Sequence, residues 1–261
     1  TKRLTFDPPG GATPTFTADG HSERIELRGR WRLLEGLAVD FGGEHERLRY
    51  ATLHDPQRQP AMAGTYAQLD HTRGPLHLAI GLRLDEHRDF GEAWSFGADM
   101  AYQLSRLWRL RASYGDGFKA PTLFQLHSDY GNAALRPETS RSYDAGLSYD
   151  GTVQAGLSVF ARETRELIAF VSCSDGASVC EGRPFGTYDN VGRAMARGVE
   201  FEGGGALSDT VRLGAAYTYL QAIDQTPGSP NQEKDLPRRP RHALALGGDW
   251  RPAPPVLLGA D

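Results

Sequence analysis

The chain alternates. In "RSYDAGLSYD", Tyr143, Ala145, Leu147 and Tyr149 share one face of an extended strand, and Ser142, Asp144, Gly146 and Ser148 share the other. "TVQAGLSVFAR" places Val153, Ala155, Leu157, Val159 and Ala161 in one row. "LHLAIGLRLD" sets Leu76, Leu78, Ile80, Leu82 and Leu84 against His77, Ala79, Gly81, Arg83 and Asp85. "RIELRGRWRL" sets Ile25, Leu27, Gly29, Trp31 and Leu33 against Glu26, Arg28, Arg30 and Arg32. The same period runs through "WSFGADMAYQL", "WRLRASY" and "VRLGAAYTY". Successive side chains of a strand point to opposite faces, so period two predicts strands almost throughout.

A soluble sandwich also alternates, with its apolar face inward. Three observations separate the two. Short links are expected near 34–36, 73–75, 105–107, 150–152, 207–210 and 251–255, and long ones near 7–21, 51–61, 86–92, 116–139, 168–190 and 225–237. Tight turns at one end and long loops at the other mark an outer-membrane barrel. Aromatics sort by height: Trp31, Tyr102, Trp108, Tyr149 and Trp250 fall near the short turns, and Tyr50, Trp94, Tyr114, Tyr143, Tyr217 and Tyr219 near the long links. Two such girdles flank the apolar band of a membrane barrel. The polar row carries Arg, Glu, Asp and Gly in strand after strand. A charge facing lipid at mid-depth costs about 2–4 kcal/mol, whereas a wet lumen tolerates it. The expected fold is therefore all-β, an antiparallel transmembrane β-barrel segment of about eleven or twelve strands. The chain has no run of about 18 apolar residues, which excludes a membrane helix but not a barrel.

Other classes find little support. A net charge of −4 carries no nucleic-acid footprint. The 8 histidines are scattered and form no Ser/His/Asp set, so no catalytic residue, enzyme activity, cofactor or metal site is expected. Cys173 and Cys180 close the polar loop "CSDGASVC". Two cysteines do not make a zinc site, which takes four ligands. They read as a disulfide in an oxidising compartment, with two free thiols as the alternative.

"YGDGFKAPTLFQL" followed by "GNAALRPETSRSYDAG" resembles the TonB-dependent outer-membrane receptors. "YDNVGRAMARGVEFEG" and "LPRRPRHALALGGDW" are similar to two further motifs of that family, in the same order. Motifs cover 94–250; residues 1–93 agree by strand pattern alone. The resemblance implies a barrel of about 22 strands around an N-terminal plug. Residues 1–261 would then be a partial barrel domain, with the plug and the final strands outside it. It also implies a monomeric receptor in the outer membrane of a Gram-negative bacterium, surrounded by its lipid. The partners would be a small-molecule substrate (cobalamin or a metal chelate) and TonB, which acts through the plug. "LIAFVSCSDGASVCEGRPFGTYDN" is similar to the cobalamin-receptor branch, with Glu166 where that branch has Asp. The expected function is TonB-driven uptake of a scarce bulky nutrient, leaning to cobalamin. A ferric-siderophore receptor and a passive channel are the alternatives.

Within this frame 116–139 is an extracellular loop, and a loop that long is usually functional. Phe124, His127, Tyr130 and Asn132 are its candidate ligand contacts. Gly115 and Gly117 are expected to turn the chain as it leaves the membrane. Pro121 and Pro137 stop ladder extension, and Glu138 is expected to accept backbone N–H groups in the returning turn. Gly198 suits a bulge or a close approach of neighbouring backbone.

Overall fold

The structure is a computed structural model that describes residues 2–6, 16–52, 61–88, 90–173, 180, 185–227, 232–253, 256 and 258–260. The strands are β1 (Lys2–Phe6), β2 (Phe16–Leu34), β3 (Leu37–Thr52), β4 (Ala61–Arg73), β5 (Leu76–His87), β6 (Gly91–Gln103) and β7 (Trp108–Lys119). One helix follows, α1 (Leu123–His127). The remaining strands are β8 (Glu138–Asp150), β9 (Val153–Ser172), β10 (Gly186–Ala206), β11 (Val211–Asp224), β12 (His242–Trp250) and β13 (Leu258–Ala260). All thirteen form one antiparallel sheet in chain order, with β1 and β13 at its edges. The strand count exceeds the expected one by the short terminal strands.

The alternating rows meet in register. Leu147 on β8 lies between Leu110 on β7 and Leu157 on β9, and Leu157 lies beside Phe201 on β10. Ile80 lies between Leu69 and Ala98, and Leu82 between Ala67 and Phe96. One face is thus a continuous apolar surface, on which Ile25 and Leu27 are 78% and 77% exposed. Exposure on this scale, in a meander of membrane-spanning length, marks a lipid-facing surface. Aromatic rungs border it. Trp108 packs tilted against Tyr149, with ring centroids 4.9 Å apart, near the short turns, and Tyr114 likewise against Tyr143 at 5.0 Å toward the opposite end. The side chain of Tyr50 lies outside the described residues.

The sequence misplaces the connections in three ways. The 86–92 segment is a tight turn, with Glu86 opposite Glu92 and His87 opposite Gly91, so short and long links do not alternate strictly. Gly91, at φ +74°, makes that turn possible despite its polar flanks. The 116–139 loop shrinks to 120–137, because β7 and β8 stay paired up to Lys119 and Glu138. Gly115 and Gly117 therefore belong to a strand, opposite Ser142 and Ser140, and turn nothing. The 168–190 loop likewise shrinks to 173–185, of which 174–179 and 181–184 lie outside the described residues, as do 7–15 and 53–60 of the long links near 7–21 and 51–61. β9 and β10 run for 20 and 21 residues, about twice the 9–11 needed to cross a membrane. Their ends project beyond the bilayer and hold the 120–137 segment in place.

Candidate functional site: a segment folded over the lumen

The face opposite the apolar one is charged and locally dry. Arg83 on β5 donates from Nε to both carboxylate oxygens of Asp85, at 3.0 and 2.8 Å. Its guanidinium also reaches Glu44 on β3, and Glu44 is held in turn by Arg24 on β2. The Asp85 and Glu44 carboxylates are nearly buried. Between Arg83 and Glu44 runs β4, which presents Gly64 at the crossing. A Cβ there would collide with the Arg83 guanidinium and lie 2.8 Å from Asp85 Oδ1. The same device recurs where Arg111 on β7 donates to Ser158 on β9, at 2.7 Å, across Gly146 on β8.

Above this wall the 120–137 segment folds inward. Pro121 is buried and cannot extend the ladder. Thr122 then starts α1 with a capping box: its hydroxyl accepts from Gln125 N at 3.2 Å, and Gln125 Oε1 accepts from Thr122 N at 2.9 Å. The signature T-x-x-Q was legible in the sequence and marks a helix that period-two reading misses. Leu126 and Leu135 are buried beneath the segment. Between α1 and the inner wall of β2–β5 lies a cavity of about 900 Å³, lined by Ser22, Met62, Arg83, His87, Phe124 and Leu126 among others. Apolar walls with a few convergent charged groups are the usual composition of a small-molecule site. Among the described residues, no three His, Cys, Asp or Glu are grouped to hold a metal ion.

The four expected ligand contacts separate. Phe124 lines the cavity and packs edge-on against Tyr188, with ring centroids 6.1 Å apart. His127 is half-buried in the last turn of α1, away from the cavity lining. Tyr130 is exposed and rests edge-on against Phe170 at 5.8 Å. Asn132 is buried and its amide is committed, donating to Tyr188 O at 3.0 Å and accepting from Ala134 N at 3.0 Å. Pro137 is half-buried just before β8. Glu138 accepts a backbone N–H, but from Ile168 on β9 at 3.0 Å rather than from its own turn, and pairs with Lys119 at 3.2 Å. At Gly198 an added Cβ would strike the Tyr219 carbonyl, so that position serves close approach. The register shift falls instead at Asn190–Arg193.

Cys173 and Cys180 are joined in a disulfide, with Cα atoms 5.4 Å apart. A ring this small removes about 2–3 kcal/mol of unfolded-state entropy, all of it local to one loop. The double variant Cys173→Ser/Cys180→Ser is therefore expected to assemble normally in the full-length receptor. Proteolytic cleavage within 173–185 should rise. Equal cleavage in both proteins would show that the loop is held by other contacts.

A single antiparallel meander with a lipid-facing exterior, a charged interior and a segment folded over the lumen defines an outer-membrane β-barrel receptor. Residues 5–260 match the family described as TonB dependent receptor-like, beta-barrel, and the chain belongs to it. This is a family of outer-membrane receptors and transporters, not enzymes. The chain is 28% identical over 238 residues to the iron-regulated outer membrane virulence protein of Vibrio cholerae serotype O1, covering 82% of the chain and 36% of that protein. It is 29% identical over 210 residues to the ferric enterobactin receptor of Pseudomonas aeruginosa, covering 70% of the chain and 27% of that protein. Its fold superposes on that of the ferric enterobactin receptor PfeA from P. aeruginosa, solved with enterobactin, at a TM-score of 0.76 and 21% identity. That match covers 97% of the chain and 42% of PfeA. The siderophore receptor PirA from P. aeruginosa gives 0.74 at 20% identity, over 94% of the chain and 45% of PirA. The chain thus spans less than half the length of these relatives.

These relatives are named for iron and siderophores. Around Glu166 and Tyr188–Asn190, the stretch similar to the cobalamin-receptor branch ties β9 and β10 to the inward-folded segment.

Proposed function

We propose that the whole protein takes up a ferric siderophore across the outer membrane, driven through TonB acting on a plug domain, as a monomeric barrel. The cavity under α1 carries this reading. It lies on the lumenal face at the end where the longest links gather, and it combines aromatic and aliphatic walls with Arg49 and His87, while Arg83 in the same wall is already paired with Asp85 and Glu44. Such a lining suits a bulky, partly planar, anionic chelate. The names of the relatives point the same way. Phe124 is the foremost ligand contact, with His127 and Tyr130 reaching ligand from the loop surface. Asn132 contributes by holding the loop.

The test is complementation of an iron-starved receptor-deletion strain by the full-length gene, with ferric catecholates, ferric hydroxamates and cyanocobalamin supplied separately. TonB-dependent growth on a ferric chelate is expected. TonB-dependent cobalamin uptake without any chelate uptake would restore the cobalamin reading. Uptake that persists without TonB would make the protein a passive channel.

A further inference from the structure

The inward-folded segment is tied down at three levels, all on one short piece of β10. At the first, the Asn190 amide treats Arg136 as a strand partner: Oδ1 accepts from Arg136 N at 2.8 Å and Nδ2 donates to Arg136 O at 2.9 Å. The same Nδ2 donates to Glu166 O on β9 at 2.7 Å. Glu166 offers that carbonyl because it bulges out of the ladder at φ +56°, while Ile168 and Leu167 pair with Asn190 and Gly192. Its carboxylate also pairs with Arg136 at 2.8 Å. At the second level, Tyr188 N and the buried Thr187 hydroxyl both donate to Tyr130 O, each at 3.1 Å. At the third, the Tyr188 ring packs against Phe124.

Phe124 faces two ways. It touches Tyr188 on the β10 side and lines the cavity on the β2–β5 side. α1 therefore spans from β10 to the opposite wall, and its position depends on where β10 holds the segment. The Asn190 side chain binds two other chain segments at once. A left-handed, non-glycine Glu166 is uncommon and costs free energy, so the bulge persists because its partners hold it.

We infer that Asn190 is a positioning residue for ligand binding: it fixes α1 as a rigid wall of the cavity. The assignment rests on the cavity being the ligand site. It touches no ligand itself, and its effect passes through Arg136 and α1.

The experiment compares full-length wild type, Asn190→Ala and Asn190→Asp in outer-membrane preparations. Asn190→Asp keeps the acceptor for Arg136 N but turns a carboxylate toward two carbonyls, so it should be as damaging as Asn190→Ala. Two quantities are read: amide hydrogen exchange over 123–136, and the concentration dependence of ferric enterobactin uptake. Both variants are expected to exchange about tenfold faster over 123–136, with β5 and β8 unchanged, as loss of a half-buried hydrogen-bonded anchor predicts. The half-saturating concentration should rise about tenfold while the maximal uptake rate per receptor holds. Unchanged exchange would overturn the anchoring role. Faster exchange with unchanged half-saturation would overturn the positioning role. A wild type that transports no ferric chelate would overturn the proposed function instead, and the exchange data would then still decide whether Asn190 anchors α1.

Discussion

Replacing Arg83 with methionine is expected to destabilise the barrel by about 3 kcal/mol, at the low end for breaking a buried pair because the guanidinium is partly exposed. Methionine keeps most of the volume and removes the charge. Asp85 then loses the guanidinium that meets both its oxygens, and Glu44 keeps Arg24 alone. Two nearly buried carboxylates, on β3 and β5, would face each other across Gly64 of the intervening β4. Gly64→Val reaches the same state from the other side, since its side chain must displace the Arg83 guanidinium. Its effect should be smaller, because arginine can swing into the lumen and stay solvated. The check is the denaturant midpoint of the full-length receptor refolded in phospholipid vesicles. If Arg83→Met and wild type unfold at the same denaturant concentration, the Arg24–Glu44–Arg83–Asp85 chain is solvated decoration and not part of what holds β2 to β5 together.

The glycines show where a sequence reading stops. The row Leu76–Leu84 is legible because its partners, such as Leu69, Ala98 and Phe96, obey the same local rule. Gly115 and Gly117 look like turn residues for an equally local reason, yet they lie in β7. In a barrel wall a glycine also serves as clearance for an arginine on a neighbouring strand, as Gly64 does for Arg83 and Gly146 for Arg111. Whether a glycine turns the chain or makes room is decided by register, which is a property of two strands and not of one. Asn190 fails to stand out for the same reason. Its partners Arg136 and Glu166 are 54 and 24 residues away, and the inward fold of 120–137 and the bulge in β9 bring them together. The cysteine pair is the opposite case: seven residues of separation and a polar loop are enough to expect the bond that forms.

The lipid-facing assignment predicts a second large effect, and one substitution made on each face isolates it. Leu157→Arg places a charge in the centre of the apolar row, where Leu147 and Phe201 flank it in register. If that point lies near the bilayer midplane, the expected loss is about 2–4 kcal/mol. Gly97→Arg introduces the same side chain on the lumenal row, between Gly81 and Gly115. An added Cβ at Gly97 has its nearest neighbour at 3.9 Å, so there is room for it, and the arginine can extend into water. Gly146, also on the polar row, would be a poor control, because a Cβ there would sit 2.7 Å from Arg111 Nε. Within the same vesicle unfolding assay, Leu157→Arg should shift the midpoint strongly and Gly97→Arg by less than about 1 kcal/mol. Thinner bilayers should shrink the Leu157→Arg penalty, since the arginine then snorkels to the interface over a shorter distance. An equal loss at both positions, insensitive to bilayer thickness, would mean that the apolar row packs against protein rather than lipid.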